Sequence, residues 1–168
     1  MFLDESAAST AMTRLYGRSP VGKRLHGSAP AGRWKTCTML SAIRMDGPLA
    51  PALFDGPVDG VVFCAWLEQF LIPSLRPGDV VVMDNLSVHR MGAVATCLKK
   101  AGHEVLYLPA YSPDLNPIEM MWSQVKSNLR AAAARTWEAL NHALAGALST
   151  VTADHCSSYF AECGYRAN

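Results

Sequence analysis

Three carboxylates stand where apolar runs give way to polar turns. Asp84 follows Val80–Met83 in VVVMDNLSVHR, Glu119 follows a turn-rich stretch in LPAYSPDLNPIEMMW, and Asp4 follows the apolar opening MFL. Taken singly, each has an ordinary explanation. An aspartate after a strand caps the next turn. Glu119 in Asn-x-x-Glu fits a capping box, whose glutamate bonds back to the N-cap amide. Taken together they point to other chemistry. Carboxylates converging from strand ends and a helix start repel one another unless cations lie between them, and hard oxygen ligands select Mg2+ or Mn2+ rather than zinc. Two such ions about 3.5–4 Å apart activate a water and stabilise the leaving oxygen of a phosphodiester.

The elements that must position these residues can be read in outline. MFL is a short strand ending on Asp4 and Glu5. WKTCTMLSAIRMDG and PLAPALFDGP are two strands joined by a turn at Asp46-Gly47-Pro48. Residues 58–75 fit a helix with Val62, Trp66, Phe70 and Ile72 as apolar positions, stopped by RPGD. Val80–Met83 is a continuous apolar run, as a strand covered on both faces requires. RMGAVATCLKKAG reads as a helix closed by Lys99, Lys100 and Gly102, and EVLYLP as another buried strand. Asn116-Pro117 starts a helix that reaches about Arg135, with Ile118, Met121, Trp122, Val125 and Leu129 as its buried stripe. A last helix, Trp137–Ser149, carries Trp137, Leu140, Leu144 and Leu148 at core spacing. A strand meander followed by strand–helix–strand–helix–helix predicts an α/β fold, a mixed sheet of five strands with helices on its faces. Ligand sites gather where adjacent strands of such a sheet end.

Composition narrows the function classes. At 168 residues one domain is expected, and 50% hydrophobic with 17% charged residues describes a folded chain. No apolar run reaches the roughly 20 residues of a membrane span. The acidic start MFLDES differs from a signal peptide, so a cytoplasmic protein is expected. Five cysteines without a Cys-x-x-Cys pair argue against a disulfide framework and a zinc site. The net charge of +1 is uneven: Ser6 to Met45 holds no acid but includes Arg14, Arg18, Lys23, Arg24, Arg33 and Lys35. That segment is either a solvated surface or a face for a polyanion such as DNA.

FLDES, VVVMDNLSVHR and LPAYSPDLNPIEMMWSQVKSNLR resemble the catalytic domain of DDE transposases, within them the bacterial insertion-sequence branch of the mariner superfamily. The 34 residues between Asp84 and Glu119 match that group's spacing. The resemblance implies an RNase H-like fold, with Asp4, Asp84 and Glu119 holding two Mg2+ or Mn2+ ions. It implies hydrolysis at transposon ends followed by attack of the freed 3′-hydroxyl on target DNA. Asn85, His89 and Asn116 match motif positions and are expected to support the ligands or touch DNA; His89 equally fits a satisfied core histidine. Under this resemblance the basic segment from Arg14 to Lys35 becomes a DNA-facing surface, and a homodimer follows from family practice.

Two departures bear on competence. The helix-turn-helix region that recognises transposon ends is expected to be absent from these residues, and the first strand is expected to be clipped. The chain then reads as one half of a two-frame transposase, completed by a helix-turn-helix partner chain, or as a remnant that only binds nucleic acid or oligomerises. A phosphoacceptor domain built on Asp84 would need alternating parallel strands, which the early meander does not fit.

Overall fold

The computed structural model describes residues 1–165. Its five strands are β1 (Phe2–Ser9), β2 (Thr36–Arg44), β3 (Gly47–Asp55), β4 (Val80–Met83) and β5 (Glu104–Tyr107). They form one sheet in the order β3-β2-β1-β4-β5. The β1–β2 and β2–β3 pairs are antiparallel, whereas β4 runs parallel to both β1 and β5. The expected mixed sheet of five strands is what forms.

Alternation along the central strands divides the core into two layers. Leu3, Leu40, Ala42, Val81 and Met83 pack beneath α1 (Gly60–Trp66) and α2 (Gly92–Lys100). Phe2, Ala8, Cys37, Met39 and Ile43 pack against α3 (Pro117–Ala132), α4 (Trp137–Ser149) and α5 (Ala153–Glu162). Each fully buried Leu or Phe contributes about 1.5–3 kcal/mol, so a one-residue slip in β1 would exchange its two faces at heavy cost. The α3 stripe of Ile118, Met121, Trp122, Val125 and Leu129 is buried as expected. No helix among the described residues is long and apolar enough to cross a membrane.

Four elements differ from the sequence expectation. The first strand does not end at Asp4: β2 offers a continuous partner from Ile43 opposite Phe2 to Thr36 opposite Ser9, and this ladder carries the small residues past Asp4. Its pairing with β4 is short, Phe2 facing Val82. Residues 58–75 are not one helix, because α1 opens into a wide π-helical turn at Leu67–Leu71 and a 3₁₀ turn at Ile72–Ser74. The wide turn rotates the stripe, so Phe63, Trp66, Leu67 and Leu71 are buried and Phe70 faces out. Strand β5 lies at the sheet edge, leaving Leu106 and Tyr107 exposed. Finally, α5 has no counterpart in the sequence expectation. Thr152 and His155 cap its start reciprocally, and Phe160 meets Phe2 edge-on at 5.4 Å between ring centroids.

Candidate active site

Parallel pairing of Phe2 with Val82 sets Asp4 and Asp84, each two residues further on, level at the same end of the sheet. Asp4 lies within β1 and points to the α3 face. Its carboxylate accepts from the Glu5 amide at 2.8 Å and from Asn116 Nδ2 at 3.1 Å. Asn116 is the N-cap residue of α3, yet its side chain caps nothing. The capping box that Asn-x-x-Glu would allow is therefore not formed. The amide is drawn into the sheet by Asp4, which leaves Glu119, in the first turn of α3, exposed at the cleft. Asn116 Oδ1 is buried with no hydrogen-bond partner.

Asp84 closes β4. Its Oδ1 accepts from the Leu86 amide at 2.9 Å, an Asx-type turn, and lies 2.6 Å from His89 Nδ1. The turn-forming explanation for Asp84 is thus correct as far as one oxygen goes. His89 Nε2 lies 2.7 Å from Glu5 Oε2, and the ring is fully buried against Phe63 at 4.9 Å between centroids. Asn85 Nδ2 donates to the Leu108 carbonyl, tying the ends of β4 and β5 together, and Arg90 Nη1 donates to Asn85 Oδ1 at 3.3 Å. Asn85 thereby fixes the loop rather than a carboxylate.

The electrostatics follow from this packing. Burial and the charge of Asp84, with smaller contributions from Glu119 and Glu5, raise Asp4 to about 7. The hydrogen bond from His89 holds Asp84 below the usual carboxylate range. Burial works against a charged His89, but its bonds to Asp84 and Glu5 outweigh that and raise it to about 9. Asp84, Asn85, Asn116 and Glu119 line a cleft of about 420 Å³, closed by the loop from Pro109 to Pro113.

A divalent ion fits this donor set. Asp4 is a buried carboxylate whose ionisation is opposed by three neighbouring acids, the arrangement that a hard cation relieves. The unpartnered Asn116 oxygen beside it adds another hard atom. Ligand atoms of Asp4, Glu5 and His89 also lie within 4.8 Å of one another. A ring nitrogen binds metal only through a free lone pair, and both nitrogens of His89 already face carboxylates. Asp84 and Glu119 lie outside that group and line the cleft instead.

Arg14, Arg18, Lys23, Arg24, Arg33 and Lys35 are all exposed on the excursion of residues 10–35 that joins β1 to β2. Because β1 and β4 are parallel, that excursion leaves the sheet at the Asp84 end. Its root is fixed by Arg135 Nη1, which donates to the carbonyls of Thr10 at 3.1 Å and Met12 at 2.7 Å. Lys35 is engaged by Asp55 at 2.8 Å. Glu5 escaped sequence reasoning, although an acid at an inward position of a strand otherwise rich in apolar and small residues is a signal that could have found it.

Comparison with known proteins adds four findings. The family model described as DDE superfamily endonuclease matches residues 1–141. The transposable element Tcb1 transposase of Caenorhabditis briggsae is 34% identical over 88 residues, covering 50% of this chain and 32% of that protein. The Mos1 strand transfer complex superposes with a TM-score of 0.68 at 19% identity, over 97% of this chain and 50% of that one. The Mos1 transposase catalytic domain with raltegravir and Mg gives 0.68 at 16% identity, over 97% and 76%. The chain spans about a third of its curated relative and half of the first Mos1 chain. At these identities the Mos1 structures establish the fold, an RNase H-like sheet flanked by helices.

Proposed function

The chain belongs to the DDE superfamily of endonucleases, and from that premise we propose that residues 1–168 are a single transposase catalytic domain. Its reaction is cleavage of phosphodiesters at transposon ends, then transfer of the freed 3′-hydroxyl into target DNA. Within the superfamily we assign it to the bacterial insertion-sequence branch of the mariner group, on the motifs around Asp84 and Glu119. The observation that carries the reading is that Asp4 is raised to about 7, first by its burial and then by the charge of Asp84, with Glu119 adding less.

Asp4, Asp84 and Glu119 would hold the metal, as two Mg2+ or Mn2+ ions. Such ions, when bound, acidify an attacking water and offset charge on the leaving oxygen. The relatives support this choice, since Mos1 structures are described with Mg and with Mn. The chain's own residues do the positioning. Asn116 orients the Asp4 carboxylate, His89 orients Asp84, and Asn85 joins the two strand ends beneath the cleft. Arg14, Arg18, Lys23, Arg24, Arg33 and Lys35 would attract the phosphate backbone to the same end of the sheet. Water and the DNA 3′-hydroxyl act as nucleophiles, so no protein side chain needs to form a bond to DNA. The Mos1 neighbours described as paired-end complexes support an assembly of two copies on two ends.

A catalytically silent remnant would follow from a displaced Asp4. The ladder that β2 supplies along β1 and the Asn116 bond weigh against that reading. The test is nicking of supercoiled plasmid with Mn2+. The wild-type chain should nick, while Asp84→Ala and Glu119→Ala should not. Equal nicking by Asp84→Ala would overturn the assignment.

A further inference from the structure

We infer that Glu5 is a positioning residue for Asp84, acting through the His89 ring; the inference rests on the carboxylate site proposed above. Neighbouring residues of a strand project to opposite faces of the sheet. Asp4 meets Asn116 on the α3 face, so Glu5 enters the layer beneath α1, where Phe63 and His89 lie. The site is thereby held from both sides of the sheet. Asn116 acts on Asp4 from one side, and Glu5 with His89 acts on Asp84 from the other.

The geometry leaves the ring little freedom. His89 is fully buried and packs at a tilt against Phe63, its Nε2 is 2.7 Å from Glu5 and its Nδ1 is 2.6 Å from Asp84. The Tyr107 hydroxyl also donates to the His89 carbonyl at 3.0 Å, fixing the backbone behind the ring. Rotation of the ring would break both of its bonds to carboxylates, one of them to Glu5, whose side chain is only 17% exposed. The ring therefore transmits the position of Glu5 to Asp84. His89 and the Leu86 amide both act on Oδ1 of Asp84, so neither occupies the other oxygen of this cleft-lining residue. Partners of ligating groups are part of a metal site, and removing one commonly costs 10–100-fold in affinity.

The competing role for Glu5 is direct ligation, since its carboxylate lies close to Asp4 and His89. The two roles separate by chemistry. Glutamine still offers a carbonyl oxygen to His89 Nε2, but an amide is a poor substitute for a carboxylate ligand. Mn2+ titration calorimetry on the 168-residue chain should give wild-type affinity within about threefold for Glu5→Gln. Glu5→Ala should lose about 10–100-fold. Wild-type affinity in Glu5→Ala overturns the inference, as does a loss in Glu5→Gln as large as that in Glu5→Ala. Asp84→Ala serves as the control for the site itself: if it binds Mn2+ as the wild type does, the carboxylate reading fails instead.

A metal-free readout keeps the two failures apart. Ring 15N–1H spectra should show both His89 N–H protons slow to exchange in the wild type and in Glu5→Gln. In Glu5→Ala the Nδ1 proton facing Asp84 should become fast-exchanging along with Nε2. An Nδ1 signal unmoved in a folded Glu5→Ala chain would show that Asp84 holds the ring alone, and the inference would be wrong.

Discussion

Asp4→Asn should stabilise the metal-free chain at alkaline pH and have almost no effect at pH 5. Asp4 titrates at about 7 in the folded chain against 3.8 in the unfolded one, because burial and the charges of Asp84, Glu119 and Glu5 oppose its ionisation. Between those values the folded state binds the extra proton, so stability falls as pH rises and the loss is complete above about 7. The full shift of about three units corresponds to about 4 kcal/mol, and about 2–3 kcal/mol of it accrues between pH 5 and pH 8. Asparagine has one oxygen where aspartate has two, so it keeps only one of the bonds from Glu5 N–H and Asn116, at a pH-independent cost of about 1 kcal/mol. Urea unfolding in EDTA at both pH values measures the difference. The variant should be nearly equal to wild type at pH 5 and about 3 kcal/mol more stable at pH 8. A difference that does not change with pH would refute the electrostatic account of the site.

Other perturbations probe separate layers. His89→Ala should be most damaging at pH 6. The raised value of about 9 against 6.5 means that its contribution, about 3 kcal/mol, is complete below 6.5 and lost as pH rises through 9. Unfolding at pH 6 and pH 10 checks this, and a penalty equal at both would contradict it. Trp122→Ala removes a side chain only 1% exposed and should cost about 3–5 kcal/mol by denaturant unfolding; a change below about 1 kcal/mol would contradict the packing of α3. Replacing Arg14, Arg18 and Arg24 together with alanine should flatten the salt dependence of DNA binding, by about 0.9 in slope for each phosphate no longer neutralised. An unchanged slope would remove the 10–35 excursion from the DNA surface.

Much of this architecture is visible in periodicity. The α3 stripe and the Val80–Met83 run follow from apolar spacing, because both elements bury a face that polar residues cannot enter. What stays hidden depends on partners distant in sequence. Ser6 to Ser9 have little strand preference of their own and are strand only because β2 pairs with them. The turn at Leu67–Leu71 rotates a stripe that straight-helix spacing assigns to Phe70. In α5 only Cys156 and Phe160 are buried, too few to stand out as a periodic pattern. At the site, Asn116 resembles a cap and Glu119 its capping-box partner. Asp4, 112 residues upstream, claims the asparagine instead. The inward position of Glu5 is a signal in the sequence, but the partner that gives it a role, His89, is 84 residues away.

The most direct test of the central claim is Mn2+ binding to the purified chain by calorimetry, with Asp84→Ala beside it. The account predicts saturable binding by the wild type that disappears in the variant. A folded wild-type chain that binds no Mn2+, or a variant that binds it equally well, would contradict a metal site built on Asp4, Asp84 and Glu119.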